Sequence, residues 1–107
     1  MTARESRFQA DFIKHLKSLY PEAIVLKNDP NYKQGIPDVL FLLGTFWAAF
    51  ECKRSPSEPF QPNQRYYVGK MNEMSFAAFV YPENEDEVLY GIQCALQAGG
   101  QARFPRR

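Results

Sequence analysis

Two apolar runs, Asp38–Leu43 and Phe46–Lys53, flank the dipeptide Gly44-Thr45 and leave this stretch little alternative to a β-hairpin. Glycine at the first of two central positions suits a type II′ turn, because that position needs a positive φ. With Leu43 paired to Phe46, stepping outward pair by pair brings Asp38 directly across from Glu51. Opposite residues of a ladder have Cβ atoms roughly 4.5–5.5 Å apart, so both carboxylates can reach one cation. Side chains alternate along a strand, which puts Lys53 on the face of Glu51, about 7 Å further on. Leu40, Leu42, Trp47 and Ala49 share that face; Val39, Phe41, Phe46, Ala48, Phe50 and Cys52 form the other. Both faces are apolar, the pattern of a sheet covered on two sides.

The charges at the open end of this hairpin admit two readings. In the plainer one, Asp38 caps the loop after Pro37, and Glu51 and Lys53 are a solvated strand end. In the other they form a site. Carboxylates opposed across a ladder repel, and a divalent cation removes the repulsion. Mg²⁺ takes one or two carboxylates together with waters and phosphate oxygens. Register, turn chemistry and the bend at Gly35-Ile36-Pro37 favour the site, although a one-residue slip would send Asp38 and Glu51 to opposite faces.

The rest of the chain supplies the framework. Phe8, Phe12, Leu16 and Leu19 make one helical stripe, Thr2 and Glu5 match a capping box, and Pro21 ends the helix. Ala23 to Lys27 reads as a strand, and Asn28 to Gly35 as a loop. Ser55 to Asn63 holds three prolines and is a second loop. A helix follows from Gln64, with Asn63 as its cap and Tyr67, Met71 and Met74 at helical spacing. Phe76 to Tyr81 is a further strand. The last helix starts at Asn84 and Glu87 and is expected to stop at Gly99-Gly100. The order α-β-β-β-α-β-α predicts an α/β (α+β) fold, a mixed sheet flanked by helices.

At 107 residues, 45% hydrophobic and 15% aromatic, the chain suits a single domain spanning 1–107, with 101–107 as a flexible tail. A net charge of +1 argues against a histone-like wrapper, but local basic patches leave nucleic acid open as a partner. Cys52 and Cys94 have no metal-like spacing and are expected to be buried in a reducing compartment. The charged N-terminus lacks an apolar h-region, and the longest apolar run, Val39 to Phe50, is too short to span a bilayer. A soluble cytoplasmic protein is therefore expected, with no membrane partner. No zinc spacing, P-loop, dinucleotide fingerprint or nucleophile elbow is present.

Pro37-Asp38 and Glu51-Cys52-Lys53 resemble the signature of the PD-(D/E)xK nuclease superfamily. Gly35-Ile36-Pro37-Asp38, Glu51-x-Lys53 and Gln64 are similar to the motifs of its VRR-NUC family, and the match covers roughly residues 4–81. Ser75 departs from the pattern, which usually has a small residue, often glycine, before the last core strand. The resemblance implies a restriction-endonuclease-like core and a Mg²⁺- or Mn²⁺-dependent DNA endonuclease. Asp38, Glu51 and the backbone carbonyl of Cys52 would hold the metal, with Lys53 and Gln64 as catalytic residues. Glu5 serves either that site or the capping box with Thr2. Stand-alone members known among phages resemble Holliday-junction resolvases. This implies a homodimer acting on four-way junctions, in a host cytoplasm if the chain is of phage origin.

Lys33, Arg54 and Arg65 lie beside the motif and are candidate phosphate contacts. His15, between two lysines, reads as a solvated helix residue, and Trp47 and the phenylalanines as core. Arg103, Arg106 and Arg107 form either an electrostatic arm or a disordered tail. Two rival functions stay open: a general, nicking or flap nuclease on linear or single-stranded DNA, and a non-catalytic nucleic-acid-binding or inhibitor protein of the same fold.

Overall fold

The hairpin takes the register that its turn dictates. Strands β2 (Val39–Leu43) and β3 (Phe46–Cys52) run antiparallel, with Leu43 opposite Phe46 and Val39 opposite Phe50. Gly44 has a φ of 61° while Thr45 stays outside the left-handed region, as a type II′ turn demands. The structure, a computed structural model, describes residues 3–103. Asp38 and Lys53 fall just beyond the strand ends rather than within them. Their backbones remain tied: the Asn28 N–H donates to the Asp38 carbonyl at 2.9 Å, and the Lys53 N–H to that of Val80 at 2.8 Å.

Strand β1 (Ile24–Lys27) pairs antiparallel with β2, and β4 (Phe76–Val80) pairs parallel with β3. The mixed sheet has the order β1-β2-β3-β4. A parallel pair needs a crossover connection, and helix α2 (Gln64–Met74) supplies it. Helix α1 (Ala3–Leu19) opens the fold and α3 (Glu85–Arg103) closes it. This is the helix-flanked mixed sheet expected from the sequence.

Helices α1 and α3 cover one face. Phe8, Phe12 and Leu16 from α1 and Val88 and Ile92 from α3 pack with Val39, Phe41, Ala48, Phe50, Cys52 and Val80. Phe12 is fully buried, its ring edge-on to Phe50 at 5.2 Å. Burying each such side chain stabilises the fold by about 1.5–3 kcal/mol. Helix α2 lies on the other face, where Val68 and Met71 pack with Ala49, Ala77 and Trp47. Cover on this face is incomplete, contrary to the two-sided expectation. Ile24 and Leu26 stay exposed, and a groove of about 490 Å³ opens among Leu40, Leu42, Trp47, Met71 and Met74. One helix is about 10 Å wide, only two strand spacings, so α2 cannot roof four strands.

Several element ends differ from expectation. Leu19 points outward at the last position of α1, and Tyr20 packs on Phe41 instead, with ring centroids 5.4 Å apart. On α2, Met74 is exposed and the inward position belongs to Val68. Asn63 sits at the N-cap with φ 70° but makes no side-chain cap bond. Gln64 does the capping of this bend, its Oε1 accepting from the Gln61 N–H at 2.9 Å. Asn84 secures the end of β4, accepting from the Tyr81 N–H and donating to the Phe79 carbonyl. Helix α3 continues through Gly99-Gly100 to Arg103; glycine costs only about 1 kcal/mol relative to alanine inside a helix. Gln101, Ala102 and Arg103 thus belong to α3 rather than to a tail. Thr2, Arg106 and Arg107 lie outside the described residues. Cys52 is buried as expected, whereas Cys94 is exposed on α3. His15 is exposed and pairs with Glu85. Among the described residues no helix is long and apolar enough to cross a membrane.

Candidate active site

The open end of the hairpin lies where α1 and the start of α2 both reach it. Glu51 and Lys53 are buried there, as are Glu5 from α1 and Gln64 from α2, while Asp38 is half-buried. These five side chains line one cavity of about 540 Å³. Glu58 and Lys27 also line it, so four carboxyl side chains face two ammonium groups among the described residues.

Asp38, Glu51 and Lys53 are each held by specific partners. Asp38 accepts the Cys52 N–H on Oδ1 at 3.1 Å and the Gln9 amide on Oδ2 at 2.9 Å. Glu51 accepts from Gln64 Nε2 at 3.1 Å on its Oε2. Lys53 Nζ donates to Gln64 Oε1 at 2.7 Å and to the Pro59 carbonyl at 3.2 Å, and lies 3.7 Å from Glu58. With its oxygen claimed by Lys53 and the Gln61 N–H, the Gln64 amide can only turn its NH₂ toward Glu51.

The loop that delivers Asp38 is locked against the start of α2. Gly35 has φ 91°, and its Cα packs against Pro62 and Asn63 with no room for a Cβ. Asn28 Nδ2 donates to the Pro37 carbonyl at 2.7 Å from the end of β1. Gly35 and Pro37 therefore act through the backbone, and Asp38 through its side chain.

Burial dominates the electrostatics. It pushes Asp38 up to about 6, against the opposing pull of the Cys52 N–H and the Gln9 amide. It pushes Glu51 up to about 8, and the neighbouring Asp38 charge adds to the rise. The Cys52 thiol is driven far up, chiefly by burial, which favours its protonated form in the metal-free protein. Glu58 is lowered: burial raises it, but a hydrogen bond with Glu5, the Arg54 N–H and the Lys53 charge outweigh burial.

A pH signature follows from Glu51. Its folded pKa lies above its ordinary value of 4.5, so the metal-free fold favours the protonated form. That contribution is complete below the ordinary value and is lost as pH rises through about 8. Metal-free protein is expected to melt at lower temperature at pH 9 than at pH 6. Added Mn²⁺ should recover more of the melting temperature at pH 9, because it binds the deprotonated pair. Scanning calorimetry at the two pH values checks both; equal Mn²⁺ stabilisation at each would contradict the assignment.

No family model, curated protein or solved structure matches the chain.

Among the described residues no group of three or more His, Cys, Asp or Glu side chains is arranged to hold a metal ion. What the cavity offers is the neighbouring pair Asp38 and Glu51. Hard oxygen donors suit Mg²⁺ or Mn²⁺, and Mg²⁺ needs only one or two carboxylates besides waters. One buried and one half-buried acid, each raised by desolvation and Glu51 further by its neighbour, fit a cation that would relieve them.

The expected phosphate contacts do not line the cavity itself. Lys33 Nζ sits over the Tyr67 ring at 5.7 Å and the Arg65 guanidinium over Phe60 at 4.4 Å, both outside the cavity lining. Arg54 also lies outside it, its N–H donating to Glu58 Oε1 at 2.7 Å. Lys27, at the end of β1, lines the wall instead. Sequence reasoning missed Gln9 and Glu58. Gln9 left a signal, since it follows Glu5 by four residues and shares its helix face. Glu58 left none, because it lies in an irregular proline-rich loop.

Proposed function

We propose that this chain is a Mg²⁺- or Mn²⁺-dependent endonuclease that hydrolyses phosphodiester bonds of DNA, with branched DNA such as four-way junctions as its preferred substrate. One observation carries the reading: Asp38, Glu51, Lys53 and Gln64 meet in a single cavity although they come from a loop, the end of one strand and a helix. That constellation is the one the PD-(D/E)xK resemblance implies. Asp38, Glu51 and the Cys52 carbonyl would hold the metal, with Glu5 as a further candidate. When bound, the metal supplies Lewis-acid polarisation of the phosphate and a lowered pKa for its water.

The remaining work falls to the chain's own groups. The Lys53 ammonium, anchored by Gln64 and the Pro59 carbonyl, stabilises charge developing on the phosphate oxygens. Gln64 keeps Lys53 and Glu51 at fixed separation by bonding both. Lys27 on the cavity wall, and Lys33, Arg54 and Arg65 beyond it, serve as contacts to the DNA backbone. Homodimerisation, which sets two sites for paired cuts, belongs to the same proposal. Light scattering at micromolar concentration is expected to return about twice the 12.4 kDa chain mass.

The deciding experiment incubates the protein with Mg²⁺ and either a four-way junction or a linear duplex. Symmetric cuts at the junction, absent in Asp38→Ala and Glu51→Ala, are expected. Cleavage of linear duplex alone would make the chain a general nuclease. Binding without cleavage in Mg²⁺ or Mn²⁺ would reduce it to a binding protein.

A further inference from the structure

We propose that Gln9 is a positioning residue, which sets the orientation of Asp38 and thereby prepares the metal site; this rests on the nuclease reading above. Gln9 is a polar side chain only 5% exposed, on a helix whose neighbouring Phe8 and Phe12 are locked into the core. Its Nε2 donates to Asp38 Oδ2 at 2.9 Å, while the Cys52 N–H takes Oδ1 at 3.1 Å. Asp38 lies in no strand, so its side chain has no ladder neighbour to hold it. Both of its oxygens are instead tied from the protein side, one by the sheet and one by α1. Each oxygen keeps a further lone pair, and Asp38 lines the cavity, so the clamped carboxylate can still offer oxygens to a cation there.

An amide suits this task. A hydrogen bond to an ionised carboxylate is shorter and stronger than one between neutral groups. A cationic donor would compete with the metal for the same charge, and an acid would repel it. Gln64 holds Glu51 in the same manner from α2. Each of the two acids therefore has a side-chain amide clamp, and the two amides come from different helices. The spacing of the acids is set by how α1 and α2 sit on the sheet rather than by the flexible loop alone.

The plainer reading is that Asp38 merely satisfies a buried amide. The two differ in what Gln9→Leu does to metal dependence. Loss of a group that orients a metal ligand typically costs about 10–100-fold in metal affinity. Mn²⁺ binding to the wild-type chain and Gln9→Leu is titrated by calorimetry, alongside the Mn²⁺ concentration giving half-maximal cleavage. Both midpoints are expected to rise at least about tenfold, with most of the rate recovered at saturating Mn²⁺. A lower metal-free melting temperature with unchanged Mn²⁺ midpoints would overturn the proposal. Should Gln9→Leu not fold, Gln9→Met keeps the unbranched shape and is judged by the same midpoints. If wild type takes up no Mn²⁺, the nuclease reading falls as well; if wild type binds and the variant matches it, only the role of Gln9 falls.

Discussion

Lys53→Met is expected to leave the chain folded and to lower the rate of DNA cleavage by about 10²–10³-fold, the usual cost of losing one preorganised electrostatic contact to a transition state. Methionine has a similar length and fills the volume, so the effect isolates the ammonium. Lys53 is only 3% exposed. It is held by Gln64, Pro59 and Glu58 at distances no rotating surface lysine maintains. Folding survives because Glu51 can take up a proton when the neighbouring positive charge disappears, its pKa already being raised by burial and by Asp38. The variant should for the same reason need a higher pH to reach its residual maximum, since Lys53 lowers the Glu51 pKa in wild type. The measurements are single-turnover cleavage of a labelled junction against pH, and the circular-dichroism melt. A rate within about threefold of wild type would remove Lys53 from the chemistry that this contact type supplies.

The site was legible where period and turn chemistry speak together. A two-residue turn with glycine first fixes the register, and the register alone brings Asp38 to Glu51 without any knowledge of the helices. Where tertiary packing decides, the sequence was silent or misleading. Leu19 continues the apolar spacing of α1, yet the helix ends there and Tyr20 takes the packing position. Asn63 has the composition of a side-chain cap, but the crowding of Gly35 against it goes with a left-handed backbone whose side chain caps nothing. Cys94 looks like core by type and lies on the outer face of α3. Lys33 and Arg65 stand beside the motif in sequence, but their packing on Tyr67 and Phe60 could be seen only in the fold. Gln9 and Glu58 needed the third dimension: one reaches a residue 29 positions away and the other enters from a loop without periodicity.

Gly35→Ala is expected to cost about 3 kcal/mol or more, combining left-handed strain of about 1–3 kcal/mol with overpacking of similar size. A methyl group at this position would lie 2.6 Å from Asn63 Cβ and 2.7 Å from both the Asn63 carbonyl carbon and the Pro62 oxygen. Two of these are backbone atoms of the turn that starts α2, where the Gln61 carbonyl accepts the Gln64 N–H and the Asn63 carbonyl that of Tyr67. Neither side can yield cheaply. Relief by separating the two loops would carry Asp38 away from Gln64, which holds Glu51 and Lys53, so activity should fall further than stability alone explains. Gly44→Ala is the matched control, because Gly44 has φ 61° with nothing within 4 Å of an added Cβ. It carries conformational strain alone, about 1–2 kcal/mol, at the far end of the hairpin. Thermal melts of both variants should separate by at least about 5 °C at the usual conversion for a domain of this size, and metal-dependent cleavage should drop only in Gly35→Ala. Equal melting temperatures would mean that the contact with Pro62 and Asn63 contributes nothing, and that Gly35 is needed for its φ alone.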